Sequence, residues 1–392
     1  MNAHDLSYVL DTFFLLFSTI LIILMVPGFA MLEAGIVRTK NVSAVLTVNT
    51  MIYAVASMAF LLIGYKLAFG SWENESVSKW AAFLFQMAFV GKTVNIMSGG
   101  VSERTRIIPL ILFAAVMAAV IYPVIVNWTW GANMLNGTFL DISSMRDLAG
   151  STVIHSTGGW ALLAAIMIIG PRKGRYVGNR VRVIPASNIP LVTLGALILW
   201  VGWFGFNGGS VGSISSKESA DTVALTIMNT NTAGLAGAIM AAVIVYIQYK
   251  KFDITMILNG ALGGLVAITA GADLFDIYTP ILIGAVGGAL VAFAVPFFDK
   301  LRLDDPVGAL SVHLVNGIWG TIAVGLFAKD ISLMTQIKGV VVVGVFAFVV
   351  SYVTLFLIDK TVHFRAGDDE QMEGLDLEEC GLEAYPEFKR AI

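Results

Sequence analysis

Residues 147–169 read DLAGSTVIHSTGGWALLAAIMII, and residues 305–327 read DPVGALSVHLVNGIWGTIAVGLF. Each opens on an aspartate and then runs apolar for about the 20 residues that a helix needs to cross a bilayer. Inside each run stands one ionisable residue, His155 or His313, eight positions after its aspartate. The whole chain has only 4 histidines. Ionisable groups at membrane depth are costly, and they face a cavity, a partner or a proton path. Two matched copies in one chain are what a transporter built from internal repeats displays.

The rest of the composition agrees. Hydrophobic residues make up 57% of the 392 positions and charged ones 13%, and mean hydropathy is +0.82. A soluble globular protein is excluded. Apolar stretches long enough to span fall at roughly 9–32, 44–69, 80–98, 107–127, 149–169, 189–209, 222–248, 255–272, 278–297, 307–328 and 335–359. The expected fold is an all-α membrane protein of eleven transmembrane helices. Five and five form an inverted repeat, because an odd number sends the second set across in the opposite direction. His155 and His313 then lie in the last helix of each half, and the eleventh helix is extra. The transmembrane domain is expected over 1–360, followed by a polar, acidic tail over 361–392. The tail's end, from Tyr385, reads either as a peptide docked on the inner face or as a lead-in to a further segment.

Basic residues orient the chain. The loops after the odd-numbered spans carry 13 Lys and Arg against 4 in the loops after the even-numbered ones. The positive-inside rule makes the first set cytoplasmic, with the N-terminus outside and the tail inside. The single cysteine, Cys380, excludes an intrachain disulfide and a cysteine-built metal site. A net charge of −3 points to no nucleic acid. Neither a phosphate-binding loop, nor a dinucleotide fingerprint in context, nor a Ser–His–Asp set is present, so neither an enzyme nor a cofactor is expected.

Several side chains stand out along the path these helices would enclose. Neutral imidazoles donate from one nitrogen and accept at the other, so an adjacent pair can line a polar file or pass a proton. Asp147 can cap the helix that follows it, and can also attract a cation from outside. Trp130 ends the fourth span facing outward. Trp200, Trp203, Phe204 and Phe206 run along the sixth, with Ser210 beyond them. Such aromatics are membrane anchors or, beside a hydroxyl, a cation–π site. Gln86, Phe89 and Thr93 share one helical stripe, and Lys92 lies close to it, either snorkelling toward the cytoplasm or facing a cavity.

Taken together, Pro27-GFAMLEAGIVRTKN-Val42, Phe85-Gln-x-x-Phe89, Ser102-ERTR, the Asp147–His155 segment, Gly170-PRKGR, Trp200-VGWFGFNGGS, Asp304-Asp305 with His313, and Gly374-LDL resemble the Amt/Mep/Rh ammonium transporters. The resemblance implies a homotrimer with a pore through each subunit. It implies ammonium recruitment at Trp130, Ser210, Phe89, Gln86 and Asp147, and a gate of Phe89 and Phe206. His155 and His313 would form the pore and proton relay. Methylammonium is the implied substrate analogue. A trimeric PII-type regulator, or a downstream signalling domain, is the implied partner on the cytoplasmic face.

The chain also departs from that pattern. Leu148 replaces an aromatic, Gly308 an acidic residue, Leu314 a glycine, Lys92 an apolar residue and Cys380 a histidine. Lys92 and Leu314 are therefore expected to modify the inner pore. That leaves two functions in view: a transporter in the cell membrane, or an ammonium sensor of the same fold with a narrowed pore, signalling through its tail.

Overall fold

The computed structural model describes residues 3–388; the last four residues of the expected tail lie outside the described residues. The chain is helical almost throughout. In chain order, α1 covers His4–Ile36, α2 Thr39–Phe69, α4 Ile107–Thr129, α5 Ser151–Ile169, α6 Ile189–Gly209, α7 Lys217–Tyr249, α9 Thr279–Lys300, α10 Leu310–Phe327 and α11 Leu333–Val362. These nine are long and apolar enough to cross a membrane. Two further helices coincide with the remaining expected spans, α3 at Lys79–Val101 and α8 at Ile254–Ile268. The α3 helix carries Lys92, Asn95 and Ser98 among its buried residues, and α8 is only 15 residues long.

Boundaries follow local chemistry. Within α1 the helix breaks at Leu24, ahead of Pro27, whose ring removes a backbone donor and crowds the preceding turn. Asn188 caps α6 through the backbone N–H of Leu191, and Ser216 and Ser219 cap α7 reciprocally. At 33 residues, α7 is about 50 Å long. It therefore tilts or projects beyond the hydrocarbon core. Residues on its flanks such as Leu235 and Ile239 are exposed, as are Phe13, Leu62 and Phe293 on other helices. Large apolar side chains facing outward are expected where lipid replaces water.

Small residues bring the helices together. The α1 and α6 backbones meet where Gly195 lies against Leu32, so closely that a Cβ on Gly195 would stand 2.3 Å from the Leu32 nitrogen. Helices α7, α8 and α9 meet in the same way at Gly237, Gly260 and Gly288. Close approach of this kind supplies the packing that a hydrophobic driving force cannot supply in lipid. Between α5 and α6 a short hairpin pairs β1 (Tyr176–Val177) with β2 (Arg180–Val181).

The tail folds onto the inner ends of the helices. Two short helices, α12 (Asp368–Glu373) and α13 (Leu375–Cys380), lie there. Arg106 pairs with Glu370, and Lys173 with Asp368. Asp376 accepts the backbone N–H of Ala44 near the start of α2, and Glu379 that of Ile107 at the start of α4. These carboxylates satisfy amide groups that a helix start otherwise leaves unpaired.

Candidate functional site

The two Asp–His segments are built alike. Asp147 is buried, and its Oδ1 accepts from the backbone N–H groups of Gly150 and Ser151 while Oδ2 accepts from Thr152 and Val153. Asp305 accepts through Oδ1 from Val307 and Gly308, and through Oδ2 from Leu310. In each segment the residue three after the aspartate is a glycine at positive φ, 102° at Gly150 and 79° at Gly308. A Cβ would be strained in that region. The departure noted at Gly308 thus has a local cause, since the turn needs glycine. Burial pushes the carboxyl groups of Asp147 and Asp305 upward, against the lowering effect of their backbone donors.

Each turn opens into a π-helical segment, Ser151–Ser156 and Leu310–Val315, which carries the histidine. The wider coil rotates the side chains that follow it, and such segments are frequent at functional sites. The result brings His155 and His313 together, 158 residues apart in sequence. Their Nδ1 atoms lie 3.1 Å apart, and their rings are 5.2 Å apart and nearly parallel. Both are buried, and His155 Nε2 has no partner among the described residues. At that distance one ring donates and the other accepts, which fixes a tautomer pair.

Aromatic rings enclose the pair. Trp203 stacks on His155 at 5.0 Å, and its indole N–H donates to Thr269. Phe206 lies 5.5 Å from His155 and meets Phe89 edge to face at 4.6 Å. Phe89 continues to Phe85 at 4.6 Å and to Trp130 at 6.5 Å. Trp130 is fixed by its indole N–H, which donates to the Asp147 carbonyl. Ser210 closes α6 one turn after Phe206, donating to that residue's carbonyl. Gln86 has a buried Oε1 without a partner among the described residues.

On the other side of the histidines, a cavity of about 20 Å³ is lined by His313, Phe29, Glu33, Asn95 and Asn259 together with apolar residues. That volume suits one molecule the size of water or ammonia. Asn259 and Val307 also line a larger vestibule of about 130 Å³ that includes Asp299, Asp305 and Arg175.

The two expected inner-pore modifiers each pack against a neighbouring helix. Lys92 is buried with Nζ 5.9 Å from the Tyr53 ring on α2, and no hydrogen-bond partner among the described residues. The Leu314 backbone lies against Gly159 of α5, where an added Cβ would stand 2.6 Å from the Leu314 Cβ. Neither lines the 20 Å³ cavity.

Beyond that cavity lies a buried ion cluster. Arg172 bridges Asp304 at 2.9 Å and Glu103 at 3.0 Å, and Arg38 joins Glu103 at 3.0 Å. Burial would raise both carboxyls, but the guanidinium groups hold them below their usual range. Arg104 beside them is lowered to about 10 by its burial.

A sequence model of the Ammonium Transporter Family matches residues 13–385. The chain belongs to that family. It is 35% identical to the ammonium transporter Amt2 of Archaeoglobus fulgidus over 94% of this chain and 86% of that protein. The solved structure of a sensor Amt protein superposes with a TM-score of 0.89 at 30% identity, covering 96% of this chain and 99% of that one. Mep2 of Candida albicans superposes with a TM-score of 0.85 at 26% identity, covering 100% and 95%. Membership makes this family member a multi-pass membrane protein and assigns it to transporters and not to enzymes.

Sequence reasoning missed Glu33, Asn95 and Asn259 as residues of the inner cavity. Glu33 was readable, because it is a carboxylate inside an apolar run of α1. The two asparagines had no such signal.

Proposed function

We propose that this protein carries ammonium across the cell membrane as a homotrimer, with its N-terminus outside and its tail in the cytoplasm. The observation that carries the reading is the buried imidazole pair, 3.1 Å apart, beneath the Phe89–Phe206 contact. Ammonium is recruited by Trp130, Phe89, Gln86 and Ser210, where ring faces and polar atoms attract a small cation. Asp147, fully engaged by backbone N–H groups, holds the turn and contributes its field. A bare cation pays a large desolvation penalty in the dry passage beyond. Ammonium therefore gives up its proton at the mouth, ammonia passes the phenylalanines and moves along the imidazoles, and the proton follows through or beside them. Ammonium-evoked currents and methylammonium uptake in proteoliposomes test this. Absence of both from a well-folded oligomer would overturn it.

A second reading, an ammonium sensor, is favoured by the likeness to the sensor Amt protein and by the tail's contacts with the starts of α2 and α4. In that case flux is low in the native chain and rises in Lys92→Ile with Leu314→Gly. A robust native flux that these changes leave unaltered removes its basis. The same inner face would receive a PII-type regulator or a signalling domain.

A further inference from the structure

Glu33 is the one acidic residue lining the cavity that His313 also lines. It is 2% exposed, and its side-chain partners are neutral. Ser98 donates to Oε1 at 2.7 Å and Asn49 Nδ2 to Oε2 at 2.8 Å. No cation pairs with it among the described residues. A carboxylate buried at membrane depth without a counter-ion is a functional group by default. Its position adds a second reason. Glu33 also lines a separate cavity of about 20 Å³ toward the cytoplasm, with Asn41, Ser98, Ser102, Glu103 and Leu375 of the tail. It is thus a shared wall between the imidazole pair and the inner face.

Asn95 supplies an independent observation. It is 1% exposed and lines the His313 cavity. Its Nδ2 donates to Asn49 Oδ1 at 3.1 Å, while its own Oδ1 accepts nothing among the described residues. A buried amide oxygen without a donor is costly, and a small donor molecule in the cavity would satisfy it.

We propose that Glu33 is a proton-carrying residue between the histidine pair and the cytoplasm. An imidazolium at His313 releases its proton to a water in the cavity oriented by Asn95 Oδ1, and that water protonates the Glu33 carboxylate. Imidazole and a neutral carboxylic acid result, so one positive and one negative charge cancel. The acid then loses the proton to water in the second cavity and returns to carboxylate. Neutral ammonia has its own exit past Asn259 and Val307 into the vestibule, so proton and ammonia leave by different walls. The titratable groups that share a cavity wall with Glu33 are His313 of α10 and Glu103 across the second cavity.

The proposal rests on the transport reading but is tested apart from it. Glu33→Gln keeps the shape and loses the titration; Glu33→Asp keeps the titration. Currents evoked by ammonium in proteoliposomes should fall by about a hundredfold or more in Glu33→Gln, a typical loss for a positioned proton-transfer group, and recover in part in Glu33→Asp. Infrared difference spectra of the wild type on adding ammonium should contain a carboxyl band that Glu33→Gln lacks and Ser98→Ala shifts. A band present in a wild type that carries no current refutes transport and leaves Glu33 as a proton-binding group. Native currents in Glu33→Gln, or no Glu33-dependent band in the wild type, overturn the assignment. The spectra of wild type and Ser98→Ala decide the matter even if Glu33→Gln does not fold.

Discussion

Asp147 commits both carboxylate oxygens to four backbone N–H groups at the turn into α5. That arrangement explains why an acid persists at this depth, since each N–H would otherwise be buried without an acceptor. Asp147→Asn keeps one oxygen and turns the other position into a donor facing two N–H groups. We expect a loss of about 2 kcal/mol or more, read as a lower thermal midpoint in detergent. Trp130 is tied to the same turn through the Asp147 carbonyl, so its indole fluorescence should change along with the midpoint. Gly308 and Gly150 show the same logic in their backbones, where the positive φ and the close neighbours Asn259 and Ile154 leave no room for a Cβ.

At the scale of elements, the proposed function rests on the π-helical segments of α5 and α10 and on the polar stripe of α3. The stripe places Lys92, Asn95 and Ser98 among the buried residues of one helix. Asn95 and Ser98 join the Glu33 network, whereas Lys92 meets only the face of Tyr53. A cation–π contact returns about 0.5–2 kcal/mol, less than an unpaired buried ammonium costs. Lys92→Met should therefore raise the thermal midpoint. A fall would mean that the ammonium has a partner, supplied in the assembled membrane protein. The pair His155 and His313, by contrast, is held by two separate turns.

At the scale of the whole molecule, the Arg172 cluster ties together the segments that follow α1, α3 and α5 and the one that precedes α10. Asp304 and Glu103 have folded pKa values below their usual ones because of Arg172 and, for Glu103, Arg38, despite burial. A depressed carboxylate stabilises the fold above its unfolded pKa, and that contribution disappears as pH falls toward the folded value. Stability should thus be level near neutrality and fall as pH drops below about 4. Asp304→Asn should be less stable at neutral pH and should show a flatter acid limb, measured by thermal melts across pH. An unchanged acid limb would assign the loss to other carboxylates.

Helix content, the approximate spans and the aspartate–histidine repeat were all legible in the sequence, because lipid demands long apolar helices and makes every buried charge conspicuous. The motifs from Pro27 to the tail, taken together, also sufficed for the family. Sequence alone left Lys92 and Leu314 beside the pore, since helical periodicity gives a stripe and not the neighbour that the stripe meets. Only tertiary packing put Lys92 against Tyr53 and the Leu314 backbone against Gly159. Packing also decided that Glu33 shares a cavity with His313, although 280 residues separate them. Distances of 3 Å between distant residues depend on glycine contacts and π turns that set helix approach and rotation, and no local pattern encodes these.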